Sequence, residues 1–235
     1  NLPKVLEMTI TGGVSTVTGE KLVDVEKCSL ENVREEFYKN LKIFVSEMAK
    51  CANGASAALS TQRVPFLSCL MGGLENGIDA RDISKQGTKY NGSGCLIHGT
   101  SVIADSFSAI DKLLAERPQD ADKLVDALKA NFEGYEELRD FLLSADKFGN
   151  NLEKVDAEAG EISSRVADIV SSTKNYLGNS FRPDFSSPST HLLYGYWVGA
   201  TPDGRKSREM LGYGIDPLFG DATNGLGLRT LSTMK

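Results

Sequence analysis

The stretch richest in potential chemistry is Tyr90–Ile110, Y-N-G-S-G-C-L-I-H-G-T-S-V-I-A-D-S-F-S-A-I. Gly92, Gly94 and Gly99 allow positive φ and a close approach of the backbone to a ligand or a neighbouring strand. Where such a turn enters a helix, its free N–H groups can bind an anion. The turn is not a P-loop, because G-x-x-x-x-G-K-S/T is absent. It is not a dinucleotide fingerprint either, because the third glycine falls out of register. The competing reading is a tight strand-to-helix turn with no ligand. A second candidate, Val198–Arg205 (V-G-A-T-P-D-G-R), follows about a hundred residues later. Pro202 presets φ and Asp203-Gly204 reverses the chain, so the segment is a turn by its own chemistry. It is either a rigid surface turn or a buried turn beside a cavity, with Arg205 paired to a carboxylate.

Other reactive residues are sparse. His98 and His191 are the only histidines, too few for a histidine metal centre. No Ser-His-Asp arrangement and no G-x-S-x-G is present. Asp203, Asp216 and Asp221 do not alternate along a short run as calcium-loop ligands do. The four cysteines, Cys28, Cys51, Cys69 and Cys95, contain no C-x-x-C, which argues for reduced thiols in a cytoplasmic protein. The net charge of −6 argues against a general nucleic-acid binder. No apolar run approaches the ~18–20 residues that cross a bilayer, and Asn1-Leu2-Pro3-Lys4 is not a signal peptide.

The elements that position these residues can be read from periodicity. Leu2–Met8 fits a short helix and Thr11–Gly19 a loop or weak strand. Ser29 caps a helix over Leu30–Ala52, with Val33, Phe37, Leu41, Phe44, Val45 and Met48 inward and Asn53-Gly54 ending it. Val64–Leu74 reads as a short buried helix. Thr100–Leu114 carries Ile103, Phe107, Ile110 and Leu114 on one side, up to the break at Arg117-Pro118. Helices follow over Asp120–Phe132, Glu136–Ser144 and Asp156–Thr173, the last with Ala159, Ile162, Val166, Ile169 and Val170 inward. Beyond Tyr176 the periodicity ends. Leu192–Val198 reads as a short strand, and Gly199–Gly227 as a glycine-rich tail that must rest on other structure. The expectation is a helix-rich α/β fold in one segment, 1–235, mainly helical over 1–177 and glycine-rich strand and turn over 178–235.

Several segments, in order, resemble the pyruvate formate-lyase-like glycyl radical enzymes. They are N-L-P-K-V-L-E at Asn1–Glu7, P-F-L-S-C-L-M-G-G-L-E-N-G-I-D at Pro65–Asp79, Y-N-G-S-G-C at Tyr90–Cys95, and G-T-S-V-I-A-D-S-F-S-A-I at Gly99–Ile110. A-N-F-E-G, K-F-G-N, F-R-P, V-G-A-T-P-D-G-R and G-I-D-P-L-F-G-D then follow. The resemblance covers nearly the whole chain. It implies the second half of a ten-stranded α/β barrel. In that family a glycyl radical passes its spin to a cysteine, whose thiyl radical takes a hydrogen atom from the substrate.

Neither radical residue has a counterpart here: R-V-x-G-Y and G-C-x-E are both absent, and Cys95 is best read as a spectator thiol. No catalytic residue, metal or other cofactor is assigned within this chain. The candidate cavity or turn residues are Tyr90, Asn91, Gly92, Gly94, Cys95, Thr201, Asp203, Gly204 and Arg205.

The resemblance implies the core segment of a lyase or acyltransferase of anaerobic metabolism, inactive alone, that cleaves or forms a C–C, C–N, C–O or C–S bond. Candidate substrates are pyruvate, glycerol-like diols, choline, hydroxyproline and arylacetates. The implied partners are the remainder of the barrel or a second polypeptide, a radical-SAM activating enzyme that installs the radical, a small-molecule substrate, and further copies in a homo-oligomer. Neither nucleic acid nor membrane is expected. The alternatives are a non-catalytic scaffold subunit or degenerate paralogue, and a phosphate-binding α/β enzyme.

Overall fold

A computed structural model of the chain describes residues 1–82, 93–186 and 189–235. Ten α-helices and two short strands are formed among these residues. In chain order they are α1 (Leu2–Thr11), α2 (Val33–Leu59), α3 (Pro65–Leu70), α4 (Gly73–Asn76), β1 (Ser93–Leu96), α5 (Thr100–Glu116), α6 (Leu124–Lys129), α7 (Glu136–Leu143), α8 (Glu153–Ser172), β2 (Phe181–Asp184), α9 (Thr190–Tyr196) and α10 (Leu226–Thr233). Short 3-10 helices, Leu30–Asn32 and Pro118–Lys123, lead into α2 and α6. The helix-rich α/β expectation holds. Two compact units are present: Asn1–Leu41 with Leu96–Arg165 and Phe185–Lys235, and Lys42–Cys95 with Val166–Asp184.

The first unit is built around α5. Residues Thr100 to Phe107 are buried on every side of the helix, as expected of a central element rather than a surface one. Helices α1 and α7 pack directly on it. Leu2, Val5, Leu6, Met8 and Ile10 of α1 and Leu138 and Leu142 of α7 are buried with Val102, Ile103, Phe107, Ile110 and Leu113. Phe37 of α2 meets Phe107 edge to face, with ring centroids 5.7 Å apart. Above the Phe107 ring, at 4.8 Å, the Arg34 guanidinium ties three helices, bonding Asp111 of α5 at 2.8 Å and Glu158 of α8 at 3.1 Å. In the second unit β1 pairs with β2, and α3 contacts α4.

Three expectations need correction. Helix α2 does not stop at Asn53-Gly54 but continues to Leu59. Gly54 lacks the left-handed φ of a helix terminator, and Ala52, Ala55, Ala57 and Ala58 are strong helix formers. The Val64–Leu74 segment is helical but not buried: Phe66, Leu67, Leu70, Met71 and Leu74 are all exposed in this chain. Leu192–Val198 is not a strand, since α9 occupies Thr190–Tyr196. Its aromatic, strand-like composition is overridden by packing. Gly195 lies where any Cβ would collide with the Glu209 carbonyl, so α9 docks its backbone closely on the following loop.

Candidate functional site

The turn from Val198 to Arg205 is buried in the first unit, and its polar atoms are almost all occupied. Thr201 N–H donates to the Arg205 carbonyl at 3.0 Å, and Gly204 N–H to the Thr201 carbonyl at 3.0 Å. The Thr201 hydroxyl donates to Asp203 Oδ1 at 2.5 Å. Gly204 has φ of 91°, and a Cβ there would lie 2.7 Å from the Leu143 side chain, so both conformation and space require glycine. The Arg139 guanidinium donates to the Gly204 carbonyl at 2.9 Å and the Lys147 ammonium to the Asp203 carbonyl at 2.6 Å. At the start of the turn, Gly199 N–H donates to Glu7 Oε2 at 3.2 Å. The buried Glu7 carboxylate also accepts from Lys4 and from both the backbone and the hydroxyl of Thr16.

Arg205 is buried as expected, but its partner is not a carboxylate. The guanidinium donates to four backbone carbonyls: Gly199 at 2.8 Å, Gly195 at 3.0 Å, Met210 at 3.3 Å, and Glu209. Its planar fork closes the end of α9 onto the loop that follows, adding a second donor to the Gly195 carbonyl, which also accepts the Val198 N–H, and donors to the other three carbonyls. Burial lowers the guanidinium pKa from its ordinary value, against the pull of Asp203, Glu209 and Glu7.

The other candidate turn is only partly covered. Tyr90, Asn91 and Gly92 lie outside the described residues. Gly94 is exposed in β1, has no positive φ, and meets nothing where a Cβ would stand, so it is not a point of close approach in this chain. Cys95, in the second unit, is half-buried, and burial pushes its thiol pKa up. A raised pKa suits a spectator thiol rather than a reactive thiolate. Gly99 does hold φ of 83°, with its α-hydrogen face against Pro3 and Leu211. Thr100 and Ser101, at the start of α5, are buried too. The histidines remain apart: His98 stacks on Tyr194 at 4.6 Å, and His191 sits edge-on to Tyr213 at 5.2 Å.

One charged constellation escaped the sequence reading. Asp105 of α5, Asp203 of the turn and Asp221 of the loop before α10 bring one carboxylate oxygen each within 4.8 Å of one another. Asp216, grouped with Asp203 and Asp221 by sequence, instead pairs with Arg229 at 2.8 Å. Burial drives the Asp105 carboxyl well above the usual carboxylate range, opposed by Lys147 and reinforced by Asp203 and Asp221. Burial likewise pushes Asp221 up to about 6, again opposed by Lys147 and reinforced by Asp203. The available signal was Asp105 itself, an acid within the apolar run of a helix buried on all sides.

Comparison with known proteins gives consistent matches. Residues 1–195 match the family model described as pyruvate formate lyase-like. The trans-4-hydroxy-L-proline dehydratase of Clostridioides difficile is 28% identical over 96% of this chain and 29% of its own length. The isethionate sulfite-lyase of Bilophila wadsworthia is 33% identical over 54% of this chain and 15% of its own length. The crystal structure of a glycyl radical enzyme from Archaeoglobus fulgidus superimposes with a TM-score of 0.90 and 28% identity, over 99% of this chain and 30% of its own. The chain therefore spans less than a third of the length of these proteins, and its fold is that of a portion of their barrel.

Proposed function

The chain belongs to the pyruvate formate lyase-like family, and from that premise we propose that it is a core barrel segment of a glycyl radical enzyme that removes a heteroatom group from a small polar substrate. The observation that carries this reading is the likeness along essentially the whole chain to a glycyl radical enzyme. The likeness to a dehydratase and a sulfite-lyase supports C–O or C–S within the wider set considered at the outset. In the complete enzyme a glycyl radical, installed by a radical-SAM activating enzyme, would supply hydrogen-atom abstraction through a cysteine thiyl. Neither G-C-x-E nor R-V-x-G-Y occurs in the 235 residues, so no catalytic role is given to any residue of this chain.

These residues contribute rigidity. Glu7 and Arg205 hold the N–H and the carbonyl of Gly199 at the start of the buried turn, and Arg139 and Lys147 fix Gly204 and Asp203. A group so fully engaged positions a wall rather than exchanging protons with a substrate. Free thiols at Cys28, Cys51, Cys69 and Cys95 and oxygen-sensitive radical chemistry fit an anaerobic cytoplasmic setting. Among the described residues no helix is long and apolar enough to cross a membrane.

The test uses a polypeptide that extends this chain to the length of its relatives. After anaerobic activation it should show a glycyl signal by electron paramagnetic resonance and consume hydroxyproline, a vicinal diol or isethionate. The 235-residue chain alone should show neither. Turnover by the chain alone would overturn the reading. The scaffold alternative rests on the two missing motifs, and the flanking coding sequence decides it.

A further inference from the structure

The Asp105, Asp203 and Asp221 constellation is left unexplained by any part played in the proposed reaction. Asp105 Oδ1 accepts the Phe148 N–H at 2.7 Å, and Asp203 Oδ1 accepts the Thr201 hydroxyl and, at 3.4 Å, the Arg205 N–H. The second oxygen of each, Asp105 Oδ2 and Asp203 Oδ2, is buried with no hydrogen-bond partner among the described residues. Both side chains are at least 99% buried, at 0% and 1% exposure. Unmatched carboxylate oxygens at such depth are costly and call for a positive partner. Lys147 is the cation that acts on Asp105 and Asp221, yet its ammonium donates to the Asp203 carbonyl oxygen. Among the described residues it makes no ion pair with any of the three carboxylates.

The charge and the spacing suit one kind of ligand. With all three ionised, as in a metal site, the carboxylates and one ammonium leave two negative charges, which a divalent cation neutralises. The three oxygens lie within 4.8 Å of one another, close enough for one ion to reach all three. Three protein carboxylates exceed the one or two that usually hold magnesium, which favours calcium. The donors are all hard oxygens, with neither histidine nor cysteine among them, the set that suits calcium, magnesium or manganese. Asp221 is only half-buried, which leaves a side for entry and for water to complete the coordination shell.

We propose that Asp105, Asp203 and Asp221 form a calcium site that ties α5, the Thr201–Arg205 turn and the loop before α10 together. The ion neutralises the ionised cluster in place of protons, and it fixes the glycine-rich tail to the core. The site is structural and is independent of which bond the enzyme cleaves.

The experiment uses the full polypeptide that carries this chain, stripped with EDTA and dialysed against calcium or magnesium. Metal analysis should find one calcium retained per chain, with magnesium a weak competitor. At calcium about one hundred times its Kd the site adds about 2.7 kcal/mol, which in a polypeptide of the relatives' length should raise the Tm by roughly 1–2 °C. Asp221→Asn should retain no calcium and lose the Tm rise with its circular dichroism unchanged, and Asp221→Glu should restore part of both. If Asp221→Asn fails to fold, retention by the wild-type protein decides. The proposal is overturned if stripped protein binds no calcium and melts at the same temperature with and without it. A shift with magnesium and none with calcium also overturns it.

Discussion

Arg205 spends its guanidinium entirely on carbonyl oxygens, and no other side chain can reproduce that set. Arg205→Lys keeps the charge but offers its donors from one point, so at least one buried carbonyl loses its partner. The expected cost is about 2–4 kcal/mol, read by denaturant melts of the variant and the wild-type protein. An unchanged midpoint would return the turn to a merely tolerant surface feature. Asp221 gives a residue-scale test of opposite character. With metal removed, its folded pKa is about 6, above the ~3.9 of an unfolded Asp. The folded state then binds the proton more tightly, so this group's contribution is complete below about pH 4 and is lost as pH rises through 6. Asp105 is displaced in the same direction, whereas Asp111, held down by its bonds to Arg34 and Lys154 though burial opposes them, runs the other way. The Asp221→Asn variant isolates the effect. In EDTA the wild-type Tm should fall relative to the variant's between pH 4 and 7, and a flat difference would contradict the assignment.

The elements stand on apolar faces whose period survives any context, which is why α2, α5 and α8 were legible. Phe37, Phe107 and Ile162, each named inward by helical spacing, are fully buried. Phe107→Ala removes a ring held by Phe37 and capped by Arg34, and should cost about 3–5 kcal/mol. A urea midpoint shift with unchanged slope would report that loss; a shift under about 1 kcal/mol would mean α5 is not the centre of the unit. Short elements were less legible for a physical reason. Seven residues of α9 hold too few turns to display a period, and Leu192, Tyr194, Tyr196 and Trp197 carry strand-like composition. The docked backbone at Gly195 decides its form, and that partner is a loop the sequence does not announce. The candidate site divides along the same line. Pro202-Asp203-Gly204 declares a turn locally, whereas Asp105 acquires meaning only when two remote segments arrive beside it.

At the scale of the whole molecule, the exposed apolar side chains are the feature to explain. On α3 and α4, Phe66 is 80%, Leu70 69% and Leu74 73% exposed, and in the first unit Phe219 is 85% exposed. Monomers rarely leave contiguous apolar patches of this kind in water. Because the chain spans 30% of the glycyl radical enzyme it superimposes on, we predict that the remaining part of such a protein covers α3 and α4. Phe66→Ser then has opposite consequences in two settings. In the 235-residue chain the ring is already in water, so the change should alter stability by less than about 0.5 kcal/mol and reduce self-association in sedimentation. In a polypeptide extended to the relatives' length the ring would be buried, and the same change should cost about 2–3 kcal/mol. Stability curves for the two proteins, each with and without the substitution, give the comparison directly. Equal and small effects in both would show that α3 and α4 face solvent in the longer protein as well, and the burial argument would fail.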